Sequence, residues 1–319
     1  MQLSGLHHVT SVSARIAENV LFYTGTLGLR LVKKSVNQDD VSAYHLFYAD
    51  RVGTPGTDMT FFDWPHIGAD KRGTDSIIGT SFRVASTAAL EYWAQRFEKS
   101  GVTHGSIKDF AGRELLPFED PEGQRLFLVN DRGSAFEGEV WERPDIPTQH
   151  ALRGFYSIVL SMPSAEKLGP ILTNALGFQR IDGASWIDGD TETTIYNTLE
   201  GGGPGSEVWL LEHPDLERAR LGAGGTHHVA FRVADIETQK KWRDKLIENG
   251  LYVTQLIDRF WFSSIYFRVS DGILFEIATD GPGFAIDESV DSLGERLVLP
   301  PFLEPRRDQI EAGLTPIQV

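Results

Sequence analysis

One local pattern occurs about four times along the chain: a short apolar strand, a helical stretch stopped by glycine, and then further strands. A βαβββ unit of this kind cannot bury both its sheet face and its helix stripe alone, so the copies must pack against one another. In the first copy, His8 to Ser13 leads into a helix from Ala17 to Leu27 that ends at Gly28, followed by strands Leu29 to Val36, Ser42 to Asp50 and Met59 to Asp63. The second has a strand from Thr80 to Val84, a helix from Ala88 to Ser100 ending at Gly101, and a last strand from Gln124 to Val129 after the turn Asp120-Pro121-Glu122-Gly123. The third runs from Phe155 to Met162 through a helix from Ala165 to Leu176, ending at Gly177, to a strand from Glu207 to Leu211. The fourth starts at His228, continues through a helix from Ile236 to Asn249 with Gly250 behind it, and closes with Ile265 to Val269 and Leu274 to Ala278. Glycine suits each stop because a helix commonly closes on a left-handed residue.

Between the second and third copies, Glu142-Arg143-Pro144-Asp145-Ile146-Pro147 reads as a linker, since closely spaced prolines suit neither a helix nor a central strand. A chain of 319 residues also exceeds the ~250–300 at which single cores stop growing. The expected organisation is an N-terminal half over 1–141, a linker over 142–152, a C-terminal half over 153–281 and a tail over 282–319. In the tail, Leu299-Pro300-Pro301-Phe302-Leu303-Glu304-Pro305-Arg306-Arg307 precedes a short helix from Asp308 to Gly313 that packs across the domains. The run Gly201-Gly202-Gly203-Pro204-Gly205 has the composition of a phosphate loop but no Lys-Ser/Thr and no following helix, so it reads as a hairpin loop.

A formal charge of −15 argues against a nucleic-acid or anionic-membrane surface, which needs clustered lysine and arginine. Cysteine is absent, which excludes disulfides, thiolate metal sites and a cysteine nucleophile and leaves histidine and carboxylate as the strong metal donors. The start Met1-Gln2-Leu3-Ser4-Gly5 has no charged-then-apolar leader, and no run approaches the ~18 apolar residues of a membrane helix, so a cytoplasmic protein is expected.

Two of the first strands open on doubled histidines, Leu6-His7-His8-Val9-Thr10 and Thr226-His227-His228-Val229-Ala230-Phe231-Arg232-Val233. Strand alternation puts Val229, Phe231 and Val233 on one face and His228, Ala230 and Arg232 on the other. His8 holds the place in its strand that His228 holds in its own. In Asp271-Gly272-Ile273-Leu274-Phe275-Glu276-Ile277 the same count sends Ile273, Phe275 and Ile277 to the core and Glu276 to the opposite face. A lone histidine at a strand start is usually a packing residue; two at matching repeat positions, with a carboxylate on a last strand, read as metal ligands. His45, His66, His104, His150 and His213 lie outside these places and are expected to be structural or exposed, and Asp63, at a strand end, reads as a turn or cap residue.

These motifs and the fourfold module resemble the vicinal oxygen chelate superfamily of glyoxalases, extradiol dioxygenases and bleomycin-resistance proteins, over residues 6 to 280. The resemblance implies an α+β fold in which module one pairs with four and two with three, forming two curled mixed β-sheets flanked by helices. Ligands in that superfamily come from first and last strands. The first-strand places here hold His8, Gly79, the Phe155-Tyr156-Ser157 stretch and His228, and the last-strand places hold Thr60, Phe127, Trp209 and Glu276. Only modules one and four retain donors. Thr60 stands where glyoxalase-like members commonly carry a fourth ligand, which leaves two histidines and one carboxylate, the set preferred by non-haem Fe(II) oxygenases.

Arg259 and Tyr266 before the Glu276 strand, and the Leu-Pro-Pro…Glu-Pro-Arg-Arg tail, are similar to the hydroquinone ring-cleaving dioxygenases of the 2,6-dichlorohydroquinone 1,2-dioxygenase type. The resemblance implies Fe(II), with Mn(II) as a substitute, and a small aromatic substrate with O₂ as partners, and it leaves homo-oligomerisation open. Tyr266 alternates with Ile265 and Phe267 and would face the cleft, Arg259 would stabilise charge on the substrate or on oxygen, and His7, His227 and Thr10 would sit beside the ligands, the two histidines as acid/base groups. Trp261 and Phe262 suit either an apolar pocket wall or the core. Two other functions compete: a glyoxalase-like metal-dependent isomerase or lyase, which would turn over without O₂, and a non-catalytic small-molecule-binding protein, against which the intact ligand set counts.

Overall fold

The computed structural model describes residues 1–200 and 202–317, so Gly201 of the glycine run lies outside the described residues. Each module supplies four strands. Module one gives β1 (Leu6–Ser13), β2 (Arg30–Val36), β3 (Tyr44–Ala49) and β4 (Asp58–Asp63), and module two gives β5 (Ser76–Val84), β6 (Lys108–Phe110), β7 (Arg113–Glu119) and β8 (Arg125–Asn130). Module three gives β9 (Phe155–Met162), β10 (Gln179–Ser185), β11 (Glu192–Asn197) and β12 (Glu207–Glu212), and module four gives β13 (Thr226–Val233), β14 (Ile257–Asp258), β15 (Ser263–Arg268) and β16 (Leu274–Thr279).

Two 8-stranded sheets result, in the orders β14-β15-β16-β13-β1-β4-β3-β2 and β10-β11-β12-β9-β5-β8-β7-β6. Module one therefore pairs with four, and two with three. The seam in each sheet is antiparallel, β1 on β13 and β5 on β9, while each first strand runs parallel to the last strand of its own module. The four central strands of the first sheet, β4-β1-β13-β16, thus bring Thr60, His8, His228 and Glu276 side by side, although His8 and Glu276 lie near opposite ends of the chain.

Alternation sorts the faces as expected. Val9, Val229, Phe231, Val233, Phe275 and Ile277 join the main core with the helix residues Trp93 and Trp242, all essentially without solvent contact. Helices α2 (Thr87–Ser100) and α4 (Ile236–Glu248) start on capping side chains, Ser86 accepting from the Ala89 amide at 3.2 Å and Asp235 from the Thr238 amide at 2.7 Å. Each cap contributes about 1 kcal/mol.

The other two module helices differ from the simple expectation. Helix α1 spans only Ile16–Val20 and widens into a π-turn over Leu21–Thr26, and α3 (Ala165–Pro170) widens likewise over Ile171–Ala175. In both, an amide bonds the carbonyl five residues back, Leu27 to Phe22 and Leu176 to Ile171, before Gly28 or Gly177 takes the left-handed conformation. The shared defect is a relic of the repeat that hydrophobic spacing does not report.

The tail packs mainly on the first sheet, its last helix α5 covering Arg307–Gly313. Leu297 bridges to Lys34, and the Lys33 ammonium, fully buried, reaches Asp287 at 2.7 Å and also pairs with Glu288.

Candidate metal centre

His8 comes from β1, His228 from β13 and Glu276 from β16. In the antiparallel seam Thr10 lies opposite His228 and His8 opposite Ala230, and in the parallel pair Ala230 lies opposite Glu276. That register gathers the three side chains on one face. All are buried, and their donor atoms lie within 4.8 Å of one another. The Glu276 carboxylate is oriented by its Oε1, which accepts from the Ser264 hydroxyl on β15. Its Oε2 points between the two imidazoles, 3.2 Å from His8 Nε2 and 3.0 Å from His228 Nε2.

A hydrogen-bond chain sets the proton positions on His8. The Thr279 carbonyl can only accept, so His7 Nε2, 3.1 Å away, carries the hydrogen. Burial, reinforced by neighbouring His8, pushes the His7 pKa down to about 3, so the ring is neutral and its Nδ1 is an acceptor. His8 Nδ1, 2.9 Å from it, must then donate, which leaves a lone pair on His8 Nε2. His227 Nδ1 stands 2.8 Å from His228 Nδ1 in the same relation, and its pKa is likewise pushed to about 3, by burial and then by His228. Glu276 Oε2 correspondingly has no hydrogen-bond partner despite lying near two ring nitrogens. Two ring nitrogens and a carboxylate oxygen that converge in a buried space fit a shared cation. The separations fit as well, because two bonds of about 2.1 Å at a right angle span about 3.0 Å.

Among the other residues singled out from the sequence, Tyr266 lies opposite Glu276 across β15 and β16, its ring 5.7 Å from that of His228. Burial and then Glu276 push its phenol well above its ordinary pKa, so it stays protonated. The Arg259 guanidinium lies 5.5 Å from the Tyr266 ring centroid and pairs with Asp39 at 2.9 Å. His7 is buried, with one ring nitrogen 2.9 Å from His8 Nδ1 and the other 3.1 Å from the Thr279 carbonyl, so it stands directly behind His8. Thr10 accepts from the Thr60 hydroxyl at 2.8 Å in the floor of the site. Phe262 packs against His8, with ring centroids 5.2 Å apart, and Trp261 joins the same wall. Asp63 is buried at the strand end beside Ser13 and does not line the cavity.

His45 is the residue the sequence reading passed over. It lines the cavity, with its Nε2 2.9 Å from Thr60 Oγ1, and burial followed by His8 and His228 drives its pKa well below that of ordinary histidine. Since Thr60 donates to Thr10, it accepts from His45 Nε2–H, and His45 Nδ1 keeps a lone pair. Face counting along β3 would have found it, because His45 shares a face with the cavity residue Phe47.

The second sheet fills its equivalent ligand place with apolar side chains. A Cβ added at Gly79 would stand 2.7 Å from the Phe127 ring, and Phe127, Tyr156 and Trp209 pack together in a separate apolar cluster. Among the described residues no donor set forms there.

The family model of the "Glyoxalase/Bleomycin resistance protein/Dioxygenase superfamily" matches residues 5–128 and 154–277. The chain belongs to this superfamily. Within the Glyoxalase/Bleomycin resistance protein/Dioxygenase superfamily, it is 45% identical to the Bacillus subtilis protein named "Putative ring-cleaving dioxygenase MhqA" over 100% of both chains. It is 31% identical to the chlorohydroquinone/hydroquinone 1,2-dioxygenase of Sphingobium indicum, covering 97% of this chain and 95% of that protein. A crystal structure described as a "putative dioxygenase" from Bacillus subtilis superposes with a TM-score of 0.90 at 37% identity, over 100% of this chain and 98% of the other. Glyoxalase I from Zea mays shares the fold, with a TM-score of 0.62 at 14% identity, over 86% of this chain and 92% of that one.

Proposed function

We propose that the chain is an Fe(II)-dependent, extradiol-type ring-cleaving dioxygenase of para-hydroquinones, with His8, His228 and Glu276 holding the ion. The observation that carries this reading is the buried set of two imidazole nitrogens and one carboxylate oxygen, converging with no fourth His, Asp or Glu donor among the described residues. The full-length likeness to proteins named as ring-cleaving dioxygenases supports the same reading. When bound, the ion would supply neighbouring sites for a substrate oxygen and for O₂ and a route for electron density between them.

The protein's own groups do the positioning. The Tyr266 hydroxyl would donate to an anionic oxygen beside Glu276, and Arg259, which stays charged, would lie behind that oxygen. His45 Nδ1 would accept from a ring hydroxyl, its other nitrogen being fixed on Thr60. Phe47, Phe62, Trp261 and Phe262 surround the space with apolar edges that exclude water. The cavity measures about 30 Å³, roughly the space of one water. A six-membered ring therefore enters only when the side chains at the mouth, including Arg259 and Asp39, move apart.

The test is anaerobic Fe(II) reconstitution followed by oxygen-electrode assays with hydroquinone, catechol and the methylglyoxal–glutathione adduct. Oxygen uptake matched to hydroquinone loss is expected, and it should vanish in His8→Ala, His228→Ala and Glu276→Ala. Anaerobic turnover of the glutathione adduct, or undiminished uptake in all three variants, would overturn the proposal.

A further inference from the structure

The second sheet carries its own cavity, of about 360 Å³, on the concave face beside Phe127. That size falls within the ~300–1,000 Å³ range of small-molecule sites, near its lower end, where a single ring fits. Its walls are apolar and partly aromatic: Ile78 from β5, Phe127 from β8, Val159 from β9, and Trp186 and Ile187 from the connection between β10 and β11. The Phe127 and Trp186 rings meet nearly at right angles with centroids 5.6 Å apart, forming a corner suited to a flat ligand.

One cation enters this corner. Arg125 stands two residues before Phe127 on β8, hence on the same face, and lines the cavity. Burial, followed by the charge of Arg72, lowers the Arg125 pKa to about 10. Among the described residues Arg125 makes no ion pair and no side-chain hydrogen bond, while the acids near it are engaged elsewhere. Glu119, which also lines the cavity, pairs with Arg72 at 2.7 Å, and Asp70 accepts from the Gly222 amide at 3.2 Å. A largely desolvated guanidinium without a partner is costly and presents a planar fork that matches a carboxylate. In a chain of net charge −15, an anion would be retained here through that local fork and not through the general field.

We propose that this cavity is a second ligand site, separate from the metal centre, which takes a single-ring aromatic carboxylate with its ring in the Phe127–Trp186 corner and its carboxylate on Arg125. The neighbouring residue, Gln124, ties β8 to both histidine-bearing strands, donating to Ser11 Oγ at 2.8 Å and to Thr226 Oγ1 at 3.0 Å.

Benzoate is the probe, titrated calorimetrically into the Fe(II)-loaded protein with benzamide as its neutral counterpart. One benzoate should bind per chain. Binding should weaken by about tenfold or more in Arg125→Met and for benzamide, and by less in Arg125→Lys, which keeps charge but loses the fork. His228→Ala should bind benzoate as the parent does, and Arg125→Met should retain its oxygen uptake. Benzoate affinity unchanged in Arg125→Met, lost in His228→Ala, or absent from the parent protein would each overturn the assignment. Because the His228→Ala arm measures binding alone, failure here is distinguishable from failure of the dioxygenase reading.

Discussion

The doubled histidines divide one task between neighbours. In each pair the second residue faces the shared space, and in the first pair His7 spans from the Thr279 carbonyl to His8 Nδ1, fixing which nitrogen of His8 is bare. Outer partners of this kind typically change metal affinity by 10–100-fold. We expect His7→Ala to weaken Fe(II) binding by about that factor while the fold persists, and His7→Gln, whose amide can still accept from His8, to recover part of the loss. Competition against a calibrated chelator measures it; equal affinity in parent and His7→Ala would mean that the relay does not matter. The positions of His228 and Glu276 could be read from alternation because each lies in a strand with a clear apolar face, and that of His8 from its matching place in the repeat. The role of His7 could not, since its partner Thr279 is 272 residues away. His45 was missed for a different reason: it lies on a middle strand of its module, outside the first- and last-strand places that the repeat singles out.

At the level of elements, the strands hold the donors and the connecting segments control access. Phe260, between Arg259 and Trp261, adopts φ 72°, a left-handed conformation that costs a non-glycine residue energy. The segment is secured by the Arg259–Asp39 pair and by a bond from Gln38 to the Arg259 carbonyl at 2.9 Å. Asp39 is mostly exposed, so the pair contributes at most about 1 kcal/mol. Asp39→Ala should therefore speed substrate entry by up to about fivefold without changing iron content. Stopped-flow association of hydroquinone checks this, and an unaltered rate would show that the mouth opens elsewhere. Strand spans were legible because their alternation is regular, and the glycine stops marked the helix ends. The π-turns were not, because a widened turn keeps nearly the same apolar spacing as an ordinary one.

At the scale of the molecule, the pairing of module one with four joins segments more than two hundred residues apart, as Thr10 against His228 shows. Such non-local seams slow folding, since loop closure precedes the contacts that reward it. The tail reinforces the arrangement through Lys33, whose acids Asp287 and Glu288 follow the last module. Nothing in the sequence around Lys33-Lys34 marks the first of the two as buried. Only the folded tail, which has little periodicity of its own, reveals that it is buried. Lys33→Met would strand the buried Glu288 carboxylate and should cost about 3–5 kcal/mol, and Lys33→Met with Glu288→Met should restore much of it. Urea unfolding midpoints test both, and a neutral single substitution would contradict the burial argument.

The seam between chain ends also bears on when the protein can acquire its ion. A polypeptide leaving the ribosome exposes His8 long before Glu276 is added, because three modules lie between the first strand and the last. Products that stop short of the fourth module would lack the acidic donor altogether, so on the proposed function iron capture, and with it oxygen activation, waits until that module is made, and chains terminated earlier are spared oxidative chemistry.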